Sequence, residues 1–556
     1  MGGVAKWPSD GSVSRVLVTA ALPYVYQPRH FGHLAGVYLP ADVYARYCRL
    51  KGRQVLFVCG TDENAATTIL QARRQSVSAR ELSDTHHPLQ EEVFRRLGIS
   101  FDIFSRTSRP IHHQTVWEFY RKLDEKGLIR SDEVRQPFCQ RCGEYLPDRF
   151  VTGRCPKCGA EDQHGESCEA CAEWLDASEL VDARCTLCGS SPVYRTVRHS
   201  FLRLSELGPQ VKEYVRTRGL GWRRRTYNKT ISWLEREGLK DKDITRDYNW
   251  GPRAPFLGPG QVIYNWAENL LGYISAVKDW ASSSAATREW QDWWLDPQVR
   301  IVCFLGKDNL FFHTILFPAL LLGHGGYALP SQIVVNEFVN LSGEKMSTSR
   351  GHVIWLHHLL EAVDPEAIRY YAAAIAPENR DSNFSWEDLV NRVNTDLADN
   401  IGNLVNRVLV LANKVLKRNV PPNAFEVDSD QAGLVGLALG VSAEVEQDLE
   451  SFQIRKALRR VASLARAANR YLNEAQPWKD SRRAPTIIWS LLRLLGVLAV
   501  VLSPFLPTSA ERIWRQLGQE SSIQELGWDR ALRSLPRTPA REPGVLFRKI
   551  PLHLGC

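Results

Sequence analysis

The chain is poor in methionine: among its 556 residues only Met1 and Met346 occur. It has no long uninterrupted apolar run. The most apolar late stretch, Ile487–Leu506, contains Arg493 and is broken by Pro504, so it reads as a buried bundle helix and not as a membrane span. The opening residues, MGGVAKWPSDGSVSR, lack the apolar core of a secretory signal. Apart from paired cysteines there are no internal repeats, which speaks against a repeat architecture. A cytoplasmic protein without membrane association is the expectation. In that compartment a count of twelve cysteines points to metal ligation and not to disulfides.

What is present fits a large globular chain. Hydrophobic residues make up 44% and charged ones 24%, and the length allows several domains with cores of their own. The net charge of +8 suits a polyanionic partner such as tRNA, though a solvated, arginine-rich surface explains it equally well.

The stretch around which the rest is organised is Thr19–Val37. The β-formers Val16, Leu17 and Val18 lead into a proline-containing turn, then His30-Phe31-Gly32-His33, then a helical pattern over Leu34–Leu50. A strand-to-helix junction offers free N–H groups and the positive end of the helix dipole. The imidazoles add donors for phosphate oxygens, and Gly32 lets a nucleotide approach the backbone. Far downstream stands Lys345-Met346-Ser347-Thr348-Ser349. Strand runs at Val16–Ala20 and Val55–Cys59 alternate with helical patterns within Glu81–Leu97, broken at Pro88, and over Ile111–Lys126. The pattern predicts a parallel sheet with crossover helices over residues 15–130. Residues 131–200 read as an inserted small domain, and 201–335 as a helical segment followed by the second half of the sheet, with strands at Val262–Trp266 and Val299–Leu305. A connecting segment (336–393) holds the lysine–serine loop, a helical bundle spans 394–535, and a tail covers 536–556.

Within the insert are four C-x-x-C units: Cys139/Cys142, Cys155/Cys158, Cys168/Cys171 and Cys185/Cys188. Two such pairs close one tetrahedral Zn²⁺, so these eight thiolates make two structural sites. A nested arrangement is expected, the inner two pairs on one ion and the outer two on the other. Cys48, Cys59, Cys303 and Cys556 read as core or tail residues.

These residues meet a family. The chain resembles the methionyl-tRNA synthetases of class I, in the four-knuckle form common in archaea and eukaryotes, over about residues 15–520. His30-Phe31-Gly32-His33 and Lys345–Ser349 are similar to the two class signatures; LPADVYARY (Leu39–Tyr47), LPDRFV (Leu146–Val151), ITRDYNWG (Ile244–Gly251), GKDN (Gly306–Asn309) and QPWK (Gln476–Lys479) also match. The resemblance implies an α/β fold: a Rossmann-type parallel-sheet catalytic domain with an inserted zinc-knuckle domain, followed by an α-helical anticodon-binding-like bundle. It implies formation of an aminoacyl adenylate from ATP, with Mg²⁺, and release of pyrophosphate. ATP would be held by His30, Gly32, His33, Gly306, Asp308, Lys345, Ser347 and Thr348, with His30, His33 and Lys345 acting on the phosphates. The amino-acid pocket would comprise Leu22, Tyr24, Asp62, Trp266, Asn269, Leu270, Tyr273 and His313, with Asp62 taking the α-ammonium group. Asn403, Arg407 and Trp478 match anticodon-reading positions, with a packed core role the other reading of Trp478. No C-terminal dimerisation module is seen, so a monomer is expected.

The departures from the family pattern gather at the amino acid. Val25-Tyr26-Gln27 follows Pro23-Tyr24, Asn64-Ala65 follows Asp62-Glu63, and Asn269-Leu270 replaces a usual Ala-Pro; Thr348 replaces the second signature lysine. A larger, polar residue in an apolar pocket would cost methionine at least about 1–3 kcal/mol. The sequence alone therefore favours activation of another amino acid, with transfer to a non-tRNA acceptor such as an N-hydroxylated amine. In that respect it resembles the synthetase-like part of hydrazine synthetases, with a cupin partner in trans. The alternative is a methionine–tRNA ligase charging tRNA(Met). A tRNA-binding protein without catalysis is opposed by the intact His30, His33, Asp62, Asp308 and Lys345.

Overall fold

The computed structural model describes residues 14–165, 168, 170–171, 175–258, 260–283, 289–346, 351–416, 429–534 and 543–551. Five strands form one parallel sheet: β1 (Arg15–Ala20), β2 (Gln54–Thr61), β3 (Ile103–Arg106), β4 (Arg300–Gly306) and β5 (Gln332–Asn336), in the order β5-β4-β1-β2-β3. β1 carries Val16, Leu17 and Val18 fully buried, as a central parallel strand covered on both faces requires. The chain winds outward through β2 and β3, then returns to the other side of β1 as β4 and β5. The direction of winding therefore switches beside β1, and the crevice at the carboxyl ends of β1 and β4 is where such a sheet takes a ligand.

Two local expectations need correction. Val262–Trp266 is not a strand of this sheet: Val262–Ile263 pairs antiparallel with Thr245–Arg246, and Asn265–Glu268 is a helical turn. Val262, Ile263 and Tyr264 are buried there as they would be in a central strand, and a short apolar run does not distinguish the two. Nor does Pro88 break its helix, which runs from Ala79 to Arg96. Leu82, His87, Gln90 and Phe94 are buried along that helix, and this packing outweighs the backbone hydrogen bond that proline removes.

The insert stands on a long antiparallel pair, Ile129–Cys139 with Val193–Leu202, in register from Ile129↔Leu202 to Phe138↔Val193. At its far end Leu146, Phe150, Val151, Leu175 and Leu180 form a small core with four of the cysteines, packed against Ala66, Ile69 and Leu70. The helical part contains α1 (Asn403–Leu416), α2 (Ser429–Glu450), α3 (Ile454–Ala475), α4 (Ala484–Leu502) and α5 (Pro507–Gln516). In α3 the buried residues Ile454, Ala457, Leu458, Val461, Leu464, Ala465, Ala468 and Leu472 recur at three- and four-residue steps, giving one apolar stripe. Among the described residues α4 is the one helix long and apolar enough to cross a membrane, and most of it is buried in the bundle. Residues 543–551 lie back on the body: Asn394 and Ile550 exchange two hydrogen bonds, and Leu546 is buried.

Candidate active site

At the end of β1 the chain turns through Pro23 and reaches His30, where the helix begins and continues to Leu50. The His30 and His33 rings lie 3.6 Å apart. The His30 backbone N–H donates to His33 Nδ1 at 3.4 Å, so the proton of neutral His33 sits on Nε2, free to face a phosphate oxygen. Burial lowers His30 to about 3, aided by Arg29, and holds His33 well below its ordinary value. Both rings are therefore neutral N–H donors at pH 7 when no phosphate is present. Gly32 leaves the His30 ring its room: a Cβ there would press on His30 Nδ1 at 3.1 Å and touch the Val339 carbonyl at 3.6 Å.

Val339 links the two distant motifs. It opens the strand Val339–Leu341, which pairs with Glu344–Lys345, and Phe31 N–H donates to the Ile354 carbonyl at 2.9 Å. Lys345 is exposed, its Nζ 4.9 Å from the Phe338 ring centre. Asp308 is exposed at the mouth of the cleft, with Lys345 and Lys307 drawing on its carboxyl. Gly306 permits this: a Cβ there would stand 2.6 Å from Asp308 Oδ1. His30, Gly32, His33, Gly306, Asp308 and Lys345 thus gather around the carboxyl ends of β1 and β4. Ser347 and Thr348 lie outside the described residues.

The amino-acid end is built on the β2 terminus. Asp62 N–H donates to the Pro23 carbonyl and the Asp62 carbonyl accepts from Val25 N–H, at 2.8 and 3.0 Å, which fixes Asp62 beside Tyr24. Opposite lies the helical turn Asn265–Glu268 with Asn269. Asn265 and Asn269 both donate to Asp62 Oδ2, at 3.1 and 2.9 Å. Burial and the nearby Glu268 push Asp62 up to about 8, and the two amides pull it down. Trp266 stacks on Phe312 at 3.9 Å and meets Tyr24 edge-on at 6.3 Å. His313 Nδ1 faces the Asn309 carbonyl at 3.1 Å and so carries the proton, leaving Nε2 to accept from Tyr273 OH at 2.8 Å. Leu22 approaches Gly272, where an added Cβ would meet it at 3.1 Å, and Leu270 is buried in the adjoining core.

Sequence reasoning passed over Asn265 and His112, and saw Asn64 and Glu268 only as departures from the family pattern, without a role. Glu268 and His112 are fully buried partners 2.5 Å apart, and His112 Nδ1 meets Ser275 Oγ at 2.8 Å. Burial drives the pair toward neutrality, raising Glu268 and lowering His112 to about 3. The signal was the spacing of Asn265, Glu268 and Asn269, at i, i+3 and i+4 in an otherwise apolar segment. In the bundle, Asn403 is exposed, Arg407 donates to Asn473 at 2.7 Å, and Trp478 is 50% exposed, which rules out a packed core role for that ring.

The cysteines form two clusters, Cys139/Cys142/Cys185/Cys188 and Cys155/Cys158/Cys168/Cys171, which is the nested pairing. Sulfurs approach at 3.4 and 3.9 Å in the outer cluster and at 4.0 and 3.5 Å in the inner. A tetrahedral Zn–S₄ site has S···S edges of about 3.8 Å, so both donor sets fit zinc, which would tie the loops of this small core.

Comparison with known proteins bears on the whole chain. The family described as "tRNA synthetases class I (M)" matches residues 16–409, and "Anticodon binding domain of methionyl tRNA ligase" matches residues 420–552. A methionine–tRNA ligase of Aeropyrum pernix is 40% identical over 551 residues, 97% of this chain and 95% of the relative. One of Porphyromonas gingivalis is 39% identical over 552 residues, 97% of this chain and 80% of the relative. Among solved structures, Mycobacterium tuberculosis methionyl-tRNA synthetase in complex with methionyl-adenylate is similar with a TM-score of 0.79 and 26% identity, covering 96% of this chain and 99% of that one.

Proposed function

The chain belongs to the methionyl class I tRNA synthetases and is an ATP-dependent, aminoacyl-adenylate-forming ligase; from that premise we propose that it activates methionine and charges tRNA(Met). The observation that supports the acceptor is the match across both the catalytic region and the anticodon-binding region. In the cleft, Asp62 pairs with the α-ammonium group and the substrate carboxylate attacks the α-phosphate in line. The bond from that phosphorus to pyrophosphate breaks as the new one forms. Positioning and charge stabilisation supply the catalysis. His30 and His33 donate N–H bonds to the phosphates, Lys345 meets the departing pyrophosphate, and Asp308 takes the ribose hydroxyls. Mg²⁺ accompanies the nucleotide.

One observation favours a second reading of the substrate. The pocket carries two carboxamides, Asn265 and Asn269, bonded to Asp62. In this reading the activated amino acid is small or polar, and its acyl group passes to an N-hydroxylated amine served by a cupin partner. ATP–pyrophosphate exchange with each of the twenty amino acids, followed by charging of a tRNA with a CAU anticodon, decides between them. Exchange with methionine and charging of that tRNA is the expected result. Exchange with another amino acid and no charging would overturn it in favour of the second reading.

A further inference from the structure

The amino-acid end of the cleft holds acceptors with nothing to accept. Asp62 Oδ2 is satisfied twice over, by Asn265 and Asn269. Asp62 Oδ1 and the amide oxygens of Asn265 and Asn269 are buried with no hydrogen-bond partner among the described residues. With Asp62 ionised, as it must be to pair with an ammonium group, the amide orientations are fixed, because turning either over would set its oxygen against a carboxylate oxygen. Buried acceptors are rarely left unmade in a folded protein, and such groups ask for a ligand or water. Here three sit on side chains joined to one another, at the residue expected to meet an ammonium group. A primary ammonium has three N–H donors.

Resting on the reading that the chain adenylates an amino acid, we propose that Asn265 and Asn269 are positioning residues for its amino group. They hold Asp62 by Oδ2, leave Oδ1 for the substrate, and add their own amide oxygens to make a three-acceptor cradle selective for a primary ammonium. The selectivity follows from counting: an N-methyl amino acid brings one N–H fewer and a methyl group into a polar, buried space.

The test is ATP–pyrophosphate exchange with L-methionine and N-methyl-L-methionine, or, if methionine gives no exchange, with whichever standard amino acid does and its N-methyl form. The wild type is expected to lose at least about thirtyfold in kcat/KM on N-methylation. Asn265→Val and Asn269→Ala are each expected to raise KM for the amino acid about tenfold with KM for ATP unchanged, and to shrink the N-methyl discrimination. A merely structural role would lower the folded fraction, or move both KM values together. Amino-acid KM within twofold of wild type in both variants, or an N-methyl substrate used as well as its parent, would overturn the cradle while leaving the ligase intact. If the variants do not fold, the N-methyl comparison on the wild type still decides. No exchange with any amino acid would remove the ligase reading and the cradle with it.

Discussion

Gly32 sets how closely the two signature histidines can stand. An added methyl would press on His30 Nδ1 and Cε1 at 3.1 Å, and the ring it displaces is stacked 3.6 Å from His33. Gly32→Ala is therefore expected to raise KM for ATP about tenfold, roughly 1.4 kcal/mol of binding, with KM for the amino acid unchanged. Exchange kinetics at varied ATP check this, and an unaltered ATP KM would mean the stack is not needed. At this scale legibility in the sequence depends on chain distance. His30, Gly32 and His33 are neighbours in a short motif, and a reader meets them together. Asn265, Glu268 and Asn269 are close to one another too, but their partners Asp62 and His112 come from elements more than a hundred residues earlier. Sequence reading saw that Asn269 put a polar group into the pocket, where a buried amide needs a partner. It could not see that the partner was Asp62, because that contact is made only when the helical turn crosses the carboxyl end of β2.

Elements were legible where local spacing and chemistry agree. C-x-x-C units bend into knuckles whatever surrounds them, and a small domain with little core is stabilised by the ion. The nesting has a measurable consequence. Cys142→Ala or Cys185→Ala alone is expected to reduce two bound zinc ions to one, and the double variant to leave that one, because both residues serve the same cluster. Cys142→Ala with Cys158→Ala is expected to leave none. Metal analysis of the purified variants reads this directly, and one ion surviving in the last variant would point to pairs consecutive in sequence. Elements were misread where tertiary packing overrode a local rule. Val262–Trp266 has the composition of a strand, yet it lies outside the parallel sheet: Val262–Ile263 pairs with Thr245–Arg246, and Asn265 then opens a helical turn and bonds to Asp62 across the cleft. The Ala79–Arg96 helix passes through Pro88 because its buried side chains hold both halves in line.

At the scale of the whole molecule, the bundle is tied to the back of the catalytic sheet by charge that no motif announces. Glu450, the last residue of α2, accepts from Arg53 at 2.5 Å, Tyr47 OH at 2.9 Å and Arg300 at 3.1 Å. These partners lie at the edge of β2, on the helix before it, and at the start of β4. A charge network at this junction joins the unit expected to read RNA to the sheet that activates the amino acid. Removing Glu450 strands the buried Arg300 guanidinium and the partly buried one of Arg53. Glu450→Gln is expected to destabilise the protein by about 2 kcal/mol, below the loss for a fully buried pair because the carboxylate keeps some solvent contact. The pH dependence provides the stricter check. Burial pushes the Glu450 carboxyl up, but Arg53 and Arg300 outweigh it and hold it below the ordinary 4.5. A depressed folded value means the contribution is fully present above the unfolded carboxyl value and is lost as pH falls through the folded one. The stability gap between wild type and Glu450→Gln in urea unfolding is therefore expected to be constant from neutral pH down to about 4.5 and to close at lower pH. A gap that is absent at pH 7, or that persists unchanged at acid pH, would show that the charge of Glu450 does not hold the bundle to the sheet.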